Sequence, residues 1–162
     1  WDTPGHARHH SCIIDHLTRS IFTGDSFGLS YREFDHNDQV FILPTTSPVQ
    51  FDPDEMKTTI QRIANFQPKA VYLTHFSRLD YRESLAEDLL SMVDAHVEIG
   101  QKAAKLEKTP KLEQIKRDLW ELLWKEAQKR SCPLNENQAQ QLLALDWELN
   151  AQGLLSWLER TA

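Results

Sequence analysis

Residues 20–26 read Ser-Ile-Phe-Thr-Gly-Asp-Ser and residues 70–75 read Ala-Val-Tyr-Leu-Thr-His. Each is a short β-type run that stops by presenting a side chain able to ligate a metal, a carboxylate at Asp25 and an imidazole at His75. Upstream, Cys12-Ile13-Ile14-Asp15 is another short β-type run. It is joined to Ser20 through His16-Leu17-Thr18-Arg19, a hairpin-like pattern with a four-residue turn. Between the two quoted runs, Asp52-Pro53-Asp54-Glu55 marks a helix start, with Asp52 as N-cap, Pro53 at the first helical position and Glu55 closing a capping box. Met56, Ile60, Ile63 and Ala64 follow at helical spacing, and Phe66-Gln67-Pro68 ends that helix before the run at 70. Val40-Phe41-Ile42-Leu43 is a third strand or a buried loop, stopped by Pro44. Strand, helix and strand in this order predict an α/β arrangement.

Past residue 80 the period is helical. Leu85, Leu89, Met92, Val93, His96 and Val97 line one side of a helix from Tyr81 to about Leu106. Thr109-Pro110 opens a second helix with the stripe Leu112, Ile115, Leu119, Leu122 and Leu123, broken at Cys132-Pro133. Asn135 and Gln138 form another capping box, and Leu142, Leu143, Asp146 and Leu149 follow along a third helix. Gly153 is expected to end it, with a short last helix over 154–160. The predicted organisation is an α/β part over 1–106 and a helical extension over 107–162, the latter a hairpin plus that last helix. Four of the five tryptophans (Trp120, Trp124, Trp147 and Trp157) fall in the extension. With leucines filling the hairpin, the Trp120–Trp124 face is expected on a second surface, against the α/β part or another subunit.

Composition excludes several classes. At 162 residues, 40% hydrophobic and 26% charged, the chain suits one domain with a core of its own and is too apolar for a disordered segment. Net charge is −6, which argues against coating nucleic acid. Residues 101–131 carry 9 Lys+Arg against 5 Asp+Glu, but the signs alternate as on a solvated helix face. No apolar run approaches the roughly 18–20 residues of a membrane span. Cys12 and Cys132 form neither a metal motif nor a disulfide framework, so a cytoplasmic location is expected. The chain begins Trp-Asp-Thr, without an initiator methionine, and is expected to be processed or to be the back part of a longer protein.

A third ligand-bearing stretch, Thr3-Pro4-Gly5-His6 with His9 and His10 close behind, joins those at Asp25 and His75. Taken singly, a Gly-Asp pair is more often a turn, and a Thr-His after a strand is a polar strand end. Imidazole and carboxylate together suit Zn, Fe or Mn. In order and spacing, Thr3-Pro4-Gly5-His6, Thr23-Gly24-Asp25 and Leu73-Thr74-His75 resemble the later metal motifs of the metallo-β-lactamase-fold hydrolases, the group that includes glyoxalase II and acyl-homoserine lactonases. The resemblance covers about residues 1–80.

The resemblance implies an α/β (α+β) fold, the C-terminal half of an αββα sandwich, followed here by the helical extension. It implies two divalent metal ions, zinc foremost with iron or manganese as alternatives. His6 would join the first, Asp25 would bridge both and His75 would join the second. The implied activity is hydrolysis of a small-molecule ester, thioester, lactone or phosphoester by metal-activated water. The family's His-x-His-x-Asp-His motif is absent, since Gly5-His6-Ala7-Arg8-His9-His10 has a different spacing. The chain alone is therefore expected to be inactive, to pair with a missing N-terminal half, and to expose one face of its sheet, associating with that half or with a copy of itself as a homo-oligomer.

His9 and His10 are read as groups that orient His6 or meet substrate, against the blander reading of one packed and one solvated; Arg8 could meet an anionic substrate group, against a plain surface arginine. His16 and His36 are expected to be exposed, His96 to be a core histidine and Cys12 a small buried residue. Ser26 or Ser77 with His75 and Asp25 lacks the nucleophile elbow a Ser-His-Asp triad needs. A reading of another class is a non-catalytic interaction or assembly module acting through the Trp-rich helices.

Overall fold

The computed structural model describes residues 1–75, 77–106 and 110–161, with Ser77 described by its backbone alone. The expected helix start at Thr109 and the Ser77 hydroxyl lie outside the described residues. Four strands, β1 (Ile13–Asp15), β2 (Ser20–Gly24), β3 (Ala70–Leu73) and β4 (Ser77–Asp80), form one sheet in sequence order. Strands β1 and β2 are the expected hairpin, β2 and β3 run parallel, and β3 and β4 antiparallel. The crossover from β2 to β3 carries α1 (Pro53–Phe66). After β4 come α2 (Glu83–Ala104), α3 (Lys111–Lys129) and α4 (Glu136–Thr161). The mixed α/β architecture expected from the sequence is present. Val40–Leu43 is a loop, buried from Phe41 onward and joined to the rest by the bridge Leu29–Leu43.

Alternation along the strands separates two faces. Ile21, Val71 and Leu79 point into a cluster with Met56, Ile60 and Ile63 of α1 and Leu85, Leu89 and Val93 of α2. On the opposite face Ile13, Phe22, Tyr72 and Arg78 stand in register in one row across all four strands. Phe22 stacks on Tyr72 with centroids 4.6 Å apart, yet Phe22 is 47% and Ile13 70% exposed. One face of the sheet is thus covered by helices while the other presents apolar rings.

Helix α1 starts as read, with Pro53 at its first turn and Asp52 Oδ1 accepting from the N–H groups of Asp54 and Glu55. Glu55 does not close the box: the Asp52 N–H donates to the Gly5 carbonyl at 2.8 Å, which ties the His6 loop to the helix. The Asn135–Gln138 box is reciprocal, each side chain accepting the other's backbone N–H at 3.0 Å.

One expectation for the extension is corrected. Gly153 does not end a helix; α4 runs through it to Thr161 as one element. A Cβ on Gly153 would lie 1.4 Å from the Thr46 carbonyl oxygen, so glycine is there to let the helix touch the 44–51 loop. Trp120 packs against the α/β part, one of the two surfaces expected for it. It is 8% exposed, clustered with Leu123, Leu143, Leu29 and Phe34, and its indole N–H donates to Glu136 Oε1 at 2.9 Å. Trp147 is also spoken for, donating to the Lys116 carbonyl at 2.7 Å. Ile115, Leu119, Ala151 and Leu154 of the extension share the cluster under the sheet, so the helices have no core separate from the α/β part.

His96 is fully buried, as expected of a core histidine, and donates Nδ1–H to the Met92 carbonyl at 2.7 Å. Burial pushes its pKa down to about 4 from 6.5. Folded His96 stays neutral while unfolded chains take up a proton below about pH 6.5, so acid favours unfolding. Stability should fall between pH 6.5 and 4 by up to about 3 kcal/mol and level off below, and His96→Leu should flatten that slope in urea titrations. Gly153→Ala, which gains roughly 1 kcal/mol of helix propensity at an open site, should instead lower the urea midpoint here. A higher midpoint would remove the close approach as the reason for that glycine.

Candidate metal centre

The ends of β2 and β3 lie side by side, Gly24 opposite Leu73, with a register irregularity between Phe22 and Gly24. Bulged strand ends of this kind re-aim the next side chain. Asp25 follows one strand and His75 the other, so adjacent strands deliver a carboxylate and an imidazole to one place. The N-terminal loop supplies two more imidazoles. Thr3 N–H donates to the His10 carbonyl and His10 N–H to the Ala7 carbonyl, a tight turn that brings His6 and His10 together with ring centroids 5.3 Å apart.

Asp25 sits at the middle. Its Oδ2 lies 3.7 Å from His6 Nε2 and 3.7 Å from His10 Nε2, and its Oδ1 lies 3.5 Å from His75 Nε2. The His6, His10 and Asp25 donors all fall within 4.8 Å of one another. His75 is the outermost member, 51% exposed. Asp25 Oδ1 is buried and accepts no hydrogen bond among the described residues. The His10 imidazole does most to hold the Asp25 carboxyl below the usual carboxylate range; burial acts the other way, and His6 and His75 add to the lowering.

Backbone groups aim these rings. A carbonyl can only accept, so His6 donates Nδ1–H to Thr45 O at 3.1 Å, which turns its Nε2 toward Asp25. Thr45 Oγ1 also donates to the Asp25 carbonyl at 2.8 Å. His10 is held from both sides: Nε2 accepts the Asp25 N–H at 3.2 Å, and Nδ1 lies 3.2 Å from Ser26 Oγ. Ser26 Oγ continues to Thr3 at 3.1 Å, inside the protein. The ring of His10 fits because position 24 has no side chain; a Cβ on Gly24 would lie 2.1 Å from His10 Cε1, and Gly24 also has φ +54°.

Three imidazole nitrogens 3.5–3.7 Å from one carboxylate are too far for hydrogen bonds. They match the spacing of about 3.4 Å between ligands that share a tetrahedral ion at about 2.0–2.1 Å. A backbone carbonyl behind one ring nitrogen is a common way to orient a metal-binding imidazole. The donors therefore fit a Zn-, Fe- or Mn-type cation, and the two oxygens of Asp25 face different imidazoles, as a bridging carboxylate would.

Of the residues singled out in the sequence, His6, Asp25 and His75 meet here, and His10 joins them packed. His9 is exposed on the wall of a cavity of about 400 Å³ shared with His6, His10, Asp25, Pro48, Val49 and Gln50. Arg8 is exposed and lines a neighbouring cavity with Arg160, away from the cluster. His16 and His36 are exposed and Cys12 is buried. Sequence reasoning missed Thr45, whose two contacts carry no local signature. It noted Ser26 only as a nucleophile, whereas its hydroxyl faces His10 and Thr3.

Fold and donors together define an α/β protein with a histidine–carboxylate cluster at its strand ends. No protein-family model matches the chain. It is 36% identical over 74 residues to a metallo-β-lactamase fold-containing protein of Sulfurisphaera tokodaii, a stretch covering 45% of this chain and 24% of that relative. A metallo-β-lactamase family protein of Thermus thermophilus matches in structure over 99% of this chain and 43% of its own, with a TM-score of 0.56 and 15% identity. An archaeal metallo-β-lactamase superfamily protein of Sulfolobus tokodaii matches over 79% of this chain and 44% of its own, with a TM-score of 0.46 and 24% identity. The chain has the metallo-β-lactamase fold and resembles proteins of that superfamily, whose members generally bind metal ions. The match to the curated relative takes up about a quarter of that relative's length, and the chain spans less than half of each solved structure.

The fit between Gly24 and His10 is testable. Gly24→Ala should push the imidazole off Asp25 and Ser26 and cost about 1–3 kcal/mol of stability by the combined clash and strain. Denaturant titration together with the His10 ring resonances would show it; unchanged His10 resonances would mean the ring has room elsewhere.

Proposed function

We propose that this chain is the C-terminal half of a metal-dependent hydrolase with a dinuclear centre, acting on a small ester, thioester, lactone or phosphoester. His6 would serve one ion, His75 the other, and Asp25 both, with His10 orienting the group beside them. When bound, the ions acidify water to supply hydroxide near neutral pH and polarise the acyl or phosphoryl oxygen under attack. Zinc is the first candidate, with iron or manganese next. The observation that carries this reading is the two-sided carboxylate, Asp25, set among three imidazole nitrogens at 3.5–3.7 Å.

The chain's own residues do the remaining work. Thr45 keeps His6 in the tautomer with a free Nε2, and Ser26 with the Asp25 N–H keeps His10 in place. The cavity beside the cluster, about 400 Å³ with Pro48 and Val49 on one wall, is of a size for a small substrate. The further ligands that two ions require would come from a His-x-His-x-Asp-His stretch in an N-terminal half. That half would cover the exposed Ile13–Phe22–Tyr72–Arg78 row; a homo-oligomer and a cytoplasmic location complete the proposal. Among the described residues no helix is long and apolar enough to cross a membrane. The reading as an interaction module through tryptophans is set aside, because Trp120 and Trp147 are engaged within the chain.

Metal analysis of the full-length protein tests the proposal. About two equivalents of Zn, Fe or Mn are expected. Asp25→Ala should cost more than the ~10–100-fold in affinity or activity that follows loss of an orienting partner, because a bridging carboxylate serves both ions. Metal content and turnover that survive Asp25→Ala would refute the assignment.

A further inference from the structure

Helix α4 reaches back to the cluster through a buried amide. Asn150, 1% exposed, accepts the Thr46 N–H on Oδ1 at 2.8 Å and donates from Nδ2 to the Pro44 carbonyl at 3.0 Å. Its own backbone carbonyl accepts from Thr46 Oγ1 at 3.0 Å. Three hydrogen bonds from one residue thus grip positions 44 and 46. The residue between them is Thr45, whose carbonyl takes the His6 Nδ1–H and whose hydroxyl donates to the Asp25 carbonyl.

Two further contacts extend the grip. Gly153, one turn on from Asn150, lets the helix backbone lie against Thr46 and Ser47. Arg160, near the helix end, donates to the Val49 and Phe51 carbonyls. Pro48, Val49 and Gln50 form the cavity wall beside the cluster. One face of α4, from Asn150 to Arg160, therefore holds the whole 44–51 segment, whose one end aims His6 and whose other end shapes the cleft.

We propose that Asn150 is a positioning residue for the metal centre, acting through Thr45 on His6. The proposal rests on the reading of the cluster as a metal site. A buried amide with all its partners in place is costly to disturb, because each freed backbone group is left in a dry interior. Which ring nitrogen of a histidine carries the proton is set by the partner of the other nitrogen. If Thr45 is no longer held, His6 loses the acceptor that keeps the proton on Nδ1, and Nε2 is no longer reserved for a metal. A helix far along the sequence would then control the metal-binding form of the N-terminal loop.

The test separates the clamp from the metal reading. Long-range proton–nitrogen NMR on the metal-free full protein, at alkaline pH where imidazoles are neutral, reports each histidine's tautomer. Wild type should show His6 as Nδ1–H. Asn150→Ala should move His6 toward Nε2–H while His96, held by Met92, keeps its signal. Zn²⁺ affinity, measured by competition with a chromophoric chelator, should fall by ~10–100-fold. Asn150→Asp keeps the acceptor for Thr46 N–H but loses the donor to Pro44, and should fall between the two; it carries the test alone should Asn150→Ala not fold. An unchanged His6 tautomer in these variants overturns the proposal whether or not zinc binds. A His6 that responds in a wild-type background that takes no zinc supports the clamp and overturns the metal reading instead.

Discussion

A carboxylate set partly out of water at the end of a strand governs this structure. Burial alone would push Asp25 toward its neutral form, since a charge in a poorly solvated site is costly. Its carboxyl is nonetheless held below the ordinary range, by His10 first and by His6 and His75 in addition. The three imidazole nitrogens stand 3.5–3.7 Å from its oxygens. His6 presents its Nε2 to a carboxylate oxygen 3.7 Å away. A metal cation between the two atoms, or a proton on the imidazole, makes such a pairing favourable. The surrounding devices make sense in that light: Gly24 clears space for His10, Thr45 fixes His6, and Ser26 links His10 to the interior at Thr3.

The topology explains why the cluster lies where it does. In open α/β sheets the carboxyl ends of parallel strands are where side chains from different strands converge on a cleft. Strands β2 and β3 are the parallel pair of this sheet, and Asp25 and His75 follow them directly. The crossover through α1 makes that pairing possible, and the Gly5–Asp52 hydrogen bond couples the start of α1 to the loop carrying His6. The same helix therefore covers the sheet and anchors the loop that carries His6.

Much of this was legible in local sequence. Strand ends at Asp25 and His75, the Pro53 helix start and the Asn135–Gln138 box all follow from residues within a few positions of one another. What was hidden depends on distant partners. β4 contributes one apolar residue, Leu79, to a four-residue strand and exists because β3 is there to pair with it. The local rule that glycine ends a helix fails at Gly153 because the Thr46 carbonyl occupies the space a side chain would take. His9 and His10 are indistinguishable as letters, and only the ring-sized gap over Gly24 decides which one is packed. Asn150 and its partners at Pro44 and Thr46 are more than a hundred positions apart, so no periodicity could announce them.

The long-range bonds also bear on what the helical part is for. A helical addition that merely covered a sheet would need an apolar stripe and little else. Helix α4 has that stripe in Ala151 and Leu154, but on the same stretch it commits a buried amide, a glycine and an arginine to the backbone of one loop. Polar groups buried with such specific partners add less to net stability than to fixing a single arrangement. The arrangement fixed here is that of the Thr45 carbonyl, and through it the direction of the His6 ring. Helix, loop and imidazole thus form one connected unit. The precision of the cluster is set as much by the last helix as by the strands that carry its donors.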